Sequence, residues 1–226
     1  MALTSPREVS SGFYRNQSYV LLGLCSLAAM ASHYADGLSL WPPIAAAVLC
    51  YVCAVTWLYE KSSAGRVLLV VIAALTLSGA YLAGGPVTSA LLWLDPLVGG
   101  LVLGVTMAAM LLGHWYLNSP TMKIGPLMRL VNVMAVLLVA RALLSGVALG
   151  MWLSGDVRPE KADLLFVLLR WLAGIVGPLA LTWMARKTLE IPNTQSATGI
   201  LYVAVIGTFV GELTGQLLSL EAGFPL

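Results

Sequence analysis

Seven long apolar stretches separated by short polar breaks take up almost the whole chain, and that pattern excludes most folds. A helix needs about 20 apolar residues to cross the hydrocarbon core of a bilayer. Windows of this kind fall at 18–36, 42–59, 66–84, 95–117, 125–152, 162–186 and 196–219. The runs are continuously apolar rather than alternating, which argues for helices and against a membrane barrel. Of the 226 residues, 59% are hydrophobic and only 10% charged, where a soluble domain carries roughly 25%. So few charges cannot cover a water-soluble protein of this length, so the lipid bilayer is the expected partner for most of the surface. The predicted fold is an all-α integral membrane protein, a single bundle of seven transmembrane helices. A polar segment at 1–17 precedes the membrane domain at 18–219, and a short tail at 220–226 follows it.

Breaks fall at Trp41-Pro42-Pro43, Glu60–Arg66, Gly84-Gly85-Pro86, Asn118-Ser119-Pro120, Asp156–Asp163 and Ile191-Pro192-Asn193. These connections leave no room for a soluble domain between spans. The polar start lacks a signal-peptide pattern, so the first apolar run reads as a retained span. Orientation follows from basic residues in the connections. Arg7, Arg15, Lys61, Arg66, Lys123, Arg129, Arg186 and Lys187 share one side, and only Arg158 and Lys161 lie on the other. Eight against two predicts a cytoplasmic N-terminus, an external C-terminus and residence in the inner (cytoplasmic) membrane of the cell. Small-residue ridges run along the last span (Gly199, Gly207, Gly211, Gly215) and the fourth (Gly100, Gly104, Ala108), where helices can approach closely.

Three ionisable residues sit inside the last three spans: Arg141, Arg170 and Glu212. Charges at membrane depth cost a few kcal/mol or more each, so a chain that keeps three needs a reason. At 1.5 Å per residue from each span's midpoint, all three fall within about one helical turn of the same depth. Consecutive helices with short connections are usually neighbours, so an outer-leaflet Arg/Arg/Glu pocket is expected. A structural ion pair is the plain alternative. Two guanidiniums against one carboxylate leave a surplus of +1, unless Asp95 bends inward from the outer end of the fourth helix. An anion, a quinone carbonyl or a haem propionate could answer that surplus. On this count Glu212→Gln would strand two cations, and losing either arginine would be milder. Thr208, Glu212 and Gln216 at four-residue spacing suggest a polar stripe for protons or water.

His33 lies near the outer end of the first span, beside Tyr34 and Asp36, and could relay protons. His114 lies near the inner end of the fourth. A haem held by both histidines is disfavoured, because they are separated by roughly 20 Å in depth on the same scale. His114, Tyr116, Asn118 and Gln195 form a second candidate polar site on the cytoplasmic side, against the plainer reading that the residues around Gln195 cap the last helix. Cys25, Cys50 and Cys53 read as buried small hydrophobes, although Cys50 and Cys53 form a C-x-x-C.

No catalytic motif, phosphate loop or metal constellation is legible, and the net charge of +2 without a basic stretch excludes nucleic acid as a partner. The last span has no lysine for a retinal Schiff base. The architecture resembles quinone-interacting membrane subunits of respiratory complexes, which implies other membrane or extracytoplasmic subunits as partners. The leading expectation is therefore a subunit of an electron-transfer complex, binding quinone at the Arg/Arg/Glu pocket with Glu212 exchanging protons. A small proton- or anion-handling transporter or channel is the alternative, favoured if a helix is broken, with Gly177-Pro178 as the candidate break. A structural or assembly subunit is the third.

Overall fold

The computed structural model describes residues 4, 6, 8–34, 39–83, 90–119, 122–154, 161–191 and 193–222. These residues are all-helical in their regular structure, with no strand among them. The helices are α1 (Ser11–Tyr34), α2 (Trp41–Leu58), α3 (Ser62–Ala83), α4 (Ala90–Asn118), α5 (Gly125–Leu153), α6 (Lys161–Leu169), a π-helical segment (Arg170–Val176), α7 (Gly177–Glu190) and α8 (Thr194–Ala222). Six of the helical stretches are long and apolar enough to cross a membrane: α2, α3, α4, α5, the run Asp163–Glu190, and α8. Their outward faces are apolar, with Val136 68% and Leu143 67% exposed on α5, as a lipid-facing surface requires. Helices of this length and composition suit a multi-pass membrane protein. α1 is longer than its predicted span because the polar residues Ser11–Gln17 are helical too, and they dilute its hydropathy.

The chain forms two compact units, Met1–Val87 and Thr88–Leu226. In the first, α1 packs on α2 and α2 on α3. The buried face of α2 is mostly small: Ala46, Cys50, Cys53 and Ala54 are fully buried, with Trp57 beyond them. The Trp57 ring stacks on Tyr14 at 4.3 Å and 13°. A Cβ at residue 65 would come within 2.5 Å of that indole, so glycine is required there. Ser18 donates to Tyr14 O, and its hydroxyl lies 3.4 Å from Cys53 Sγ. The α2–α3 turn closes with Glu60 N donating to Trp57 O and Lys61 N to Thr56 O, a Schellman pair that puts Glu60 at φ 55°.

In the second unit α8 packs against α4, α7 and the π-helical segment. α5 buries Leu127, Leu130, Val131, Met134, Leu138, Arg141, Ser145 and Ala148 along one stripe, the spacing of a single helix face. Arg141 and Ser145 are therefore held inward by their apolar neighbours.

The π-helical segment has a local cause. Pro178 has no N–H for the carbonyl four residues back, and its ring crowds that carbonyl. The ladder responds by widening, and Gly177 N–H bonds to Leu172 O, five residues earlier. Gly174 lies within this wide turn. Its Cα meets the backbone of Gly211 on α8 so closely that a Cβ on either residue would overlap the backbone of the other helix.

Candidate functional site: a buried charge cluster

Four charged side chains meet in the second unit. Arg141, 2% exposed, donates from Nε to Glu212 Oε1 at 2.8 Å and from Nη2 to Glu212 Oε2 at 2.6 Å. This bidentate fork is the strong form of an arginine–carboxylate bond. Its third nitrogen, Nη1, reaches Asp95 Oδ1 at 2.5 Å and the Asp95 carbonyl at 3.4 Å. One guanidinium thus bridges carboxylates from α4 and α8. Gly99, one turn beyond Asp95, makes the space: a Cβ there would lie 2.6 Å from Glu212 Oε2 and 3.4 Å from Arg141 Nη2.

Arg170, 3% exposed, opens the π-helical segment. Its Nη2 donates to Ser145 Oγ at 2.9 Å and its Nη1 to the carbonyl of Gly211 at 3.2 Å, next to Glu212. Nε is buried without a hydrogen-bond partner, and among the described residues no carboxylate lies in salt-bridge range of the group. Gly215 clears room for the guanidinium, since a Cβ there would collide with Nη1.

Arg141 and Glu212 are thus directly joined, and Arg170 touches the same helix one residue from the acid without bonding to it. The surplus charge expected from sequence is answered by Asp95, which makes two cations and two anions. Asp95 was placed at the end of a span beginning at 95, whereas α4 starts at Ala90 and carries the residue more than a turn inside. Asp95-Pro96 reads as a helix start because proline favours the first turn, so the sequence offered Asp95 only as an end residue bending inward, and a longer window was needed to place it within the helix. Ser145 and Gly99 were missed, and Gly215 was read only as part of a packing ridge. Each lies one turn from a charged or facing residue, and that spacing was the available signal.

The expected polar stripe on α8 is not continuous. Thr208 is buried and donates to Ala204 O at 2.6 Å, Glu212 is buried, and Gln216 is exposed. Four-residue steps drift by ~40° each on a helix of 3.6 residues per turn, so the stripe turns out of the buried face. His33 is exposed at the end of α1, edge-on to Tyr34 with ring centroids 5.4 Å apart. Asp36 lies outside the described residues.

In the second candidate site, His114 and Tyr116 each contact a residue outside the expected set. His114 Nδ1 lies 3.2 Å from the Tyr202 hydroxyl. Tyr116 is buried and donates to the carbonyl of Lys123. Asn118 and Gln195 are exposed. Asn193 caps α8, its Oδ1 accepting from Ser196 N at 3.0 Å. Among the described residues, no group of three or more His, Cys, Asp or Glu could hold a metal ion. No family model matches the chain, and neither does a curated protein or a solved structure.

Proposed function

We propose that the chain is a small membrane transporter or channel for protons or a small anion, with Asp95, Arg141, Arg170 and Glu212 as its gate. One observation carries this reading: the π-helical segment sets Arg170 against the α8 backbone beside Glu212. π-Helical turns within α-helices are often functional, and interrupted helices with ionisable groups are where membrane carriers bind their cargo. Protonation of Glu212 would weaken its fork with Arg141 and free that guanidinium to favour Asp95, which gives two arrangements of one cluster. In this reading α1 is also a span, giving seven, with the N-terminus in the cytoplasm and the protein in the inner membrane.

The quinone-handling reading, a subunit of an electron-transfer complex with partner subunits, drew its force from an unanswered positive charge. With Asp95 on Arg141 the charges balance, and that reading keeps only Glu212 as an exchangeable acid.

Purified protein reconstituted into vesicles with a trapped pH dye tests the proposal, using chloride and proton gradients as probes. Wild-type protein should conduct, and Glu212→Gln should fall to the leak of empty vesicles while eluting as the same folded species. Equal flux from both, or none from wild type under either gradient, would contradict it.

A further inference from the structure

Arg170 keeps a hydrogen-bond donor that nothing in the charge cluster uses. Nε and Nη2 form the side edge of a guanidinium, the edge by which Arg141 grips Glu212. On Arg170, Nη2 donates to Ser145 Oγ at 2.9 Å, while Nε on the same edge is buried without a partner. The Ser145 hydroxyl accepts that bond, and its own proton reaches no acceptor among the described residues. Serine inside a helix can spend that proton on the carbonyl one turn back, as Ser18, Ser26 and Ser219 do here. Two donors, one of them cationic, thus stand at one buried edge with no acceptor. Leaving them so is costly, and a small anion would accept from both.

Charge fixes what must enter with it. Arg141 is answered by Asp95 and Glu212, so the four groups of the cluster sum to zero. A monovalent anion on Arg170 would add an excess negative charge beside Glu212, which is 7% exposed. Burial and a like charge nearby both favour the protonated acid. Glu212 is the acid concerned, because the carbonyl of the preceding residue, Gly211, already holds Arg170. The groups that face it are Arg141 from α5, Asp95 from α4 through that arginine, and Arg170 itself. α7 buries only Pro178, Thr182, Ala185 and Leu189, and the acid on α6 is Asp163, about two turns before Arg170. A proton on Glu212 leaves Arg141 paired with Asp95 and restores neutrality.

We propose that Arg170 and Ser145 bind one small monovalent anion of the halide class, and that the site fills together with a proton on Glu212. The inference rests on the carrier reading above and makes the cargo a proton–anion pair moved without net charge. An electroneutral pair is the form of charge that a low-dielectric interior admits at least cost. A divalent anion would bring a second charge that the cluster has no spare cation to meet.

The test uses the full chain in detergent, with chloride as the probe, exchanged for gluconate at constant ionic strength. Calorimetry reads affinity and stoichiometry, and a pH electrode in weakly buffered solution reads proton uptake. One chloride per chain with uptake of one proton is the expected result. Affinity should fall by up to about tenfold per pH unit as pH rises above the point where free Glu212 ionises. Glu212→Gln, which resembles the protonated acid, should bind chloride without proton uptake or pH dependence. Ser145→Ala should weaken binding severalfold. Arg170→Lys, which keeps the charge but loses the Nε–Nη2 edge, should weaken it by about tenfold or more. No chloride binding by folded wild type, binding without proton uptake, or undiminished binding by folded Ser145→Ala and Arg170→Lys would overturn the site. Proton-coupled chloride binding without flux in vesicles would keep the site and sink the carrier reading, and flux without such binding would do the reverse.

Discussion

At the residue scale, the cluster sets an unequal ranking among its members. Arg141 satisfies both carboxylates, so Arg141→Met leaves Asp95 and Glu212 facing each other with that cation gone. Breaking a buried pair this way costs about 3–5 kcal/mol. Glu212→Gln leaves Arg141 paired with Asp95 and keeps an amide oxygen as acceptor, so it should cost less. This order reverses the one expected from sequence, where Asp95 was not yet inside the helix. Unfolding of the detergent-solubilised variants in a denaturant series measures it, and a Glu212→Gln variant less stable than Arg141→Met would contradict it. Arg141, Arg170 and Glu212 were legible because a charge in an apolar run stands out against its cost. Asp95 was legible only as an exception that bends inward, because it lay where a span was expected to end. Gln216 misled because a four-residue spacing only approximates a helix face.

At the element scale, Gly177-Pro178 was legible as a discontinuity, but its form as a π-helical turn was not. Proline inside a helix can kink it as readily as widen it, and the wide turn sets Gly174 against Gly211 across helices, a contact that no local pattern encodes. The small-residue ridges illustrate the same limit. Gly207, Gly211 and Gly215 on α8 are packed, whereas Gly100 and Gly104 on α4 meet nothing within 4 Å, and the glycine packed against the cluster is Gly99. Gly211→Ala should therefore destabilise by about 1–3 kcal/mol, as overpacking does. Gly104→Ala should be neutral or stabilising by up to ~1 kcal/mol, from helix propensity. Thermal unfolding of the two variants side by side checks this, and equal effects would remove the close α8 contact from the account.

At the scale of the whole molecule, the apolar period and the turn residues made an all-helical membrane protein legible, with boundaries near those observed for α2, α3 and α5. The division into two units was not legible, because helix-to-helix packing leaves no mark in hydropathy. The eight-to-two asymmetry of basic residues predicts that reporters fused in the Glu60–Arg66 loop read as cytoplasmic, and those at the C-terminus as external. An external Glu60–Arg66 reporter would reverse the orientation.

The central claim is that charges from separate helices of the second unit act as one buried, mutually dependent group. A double-mutant cycle on Arg141→Met and Glu212→Gln, read as unfolding free energy, tests it most directly. The account predicts that the double variant is less destabilised than the sum of the single variants by at least ~1 kcal/mol, the coupling of residues in direct contact. Additivity within about 0.5 kcal/mol, the behaviour of independent sites, would contradict it.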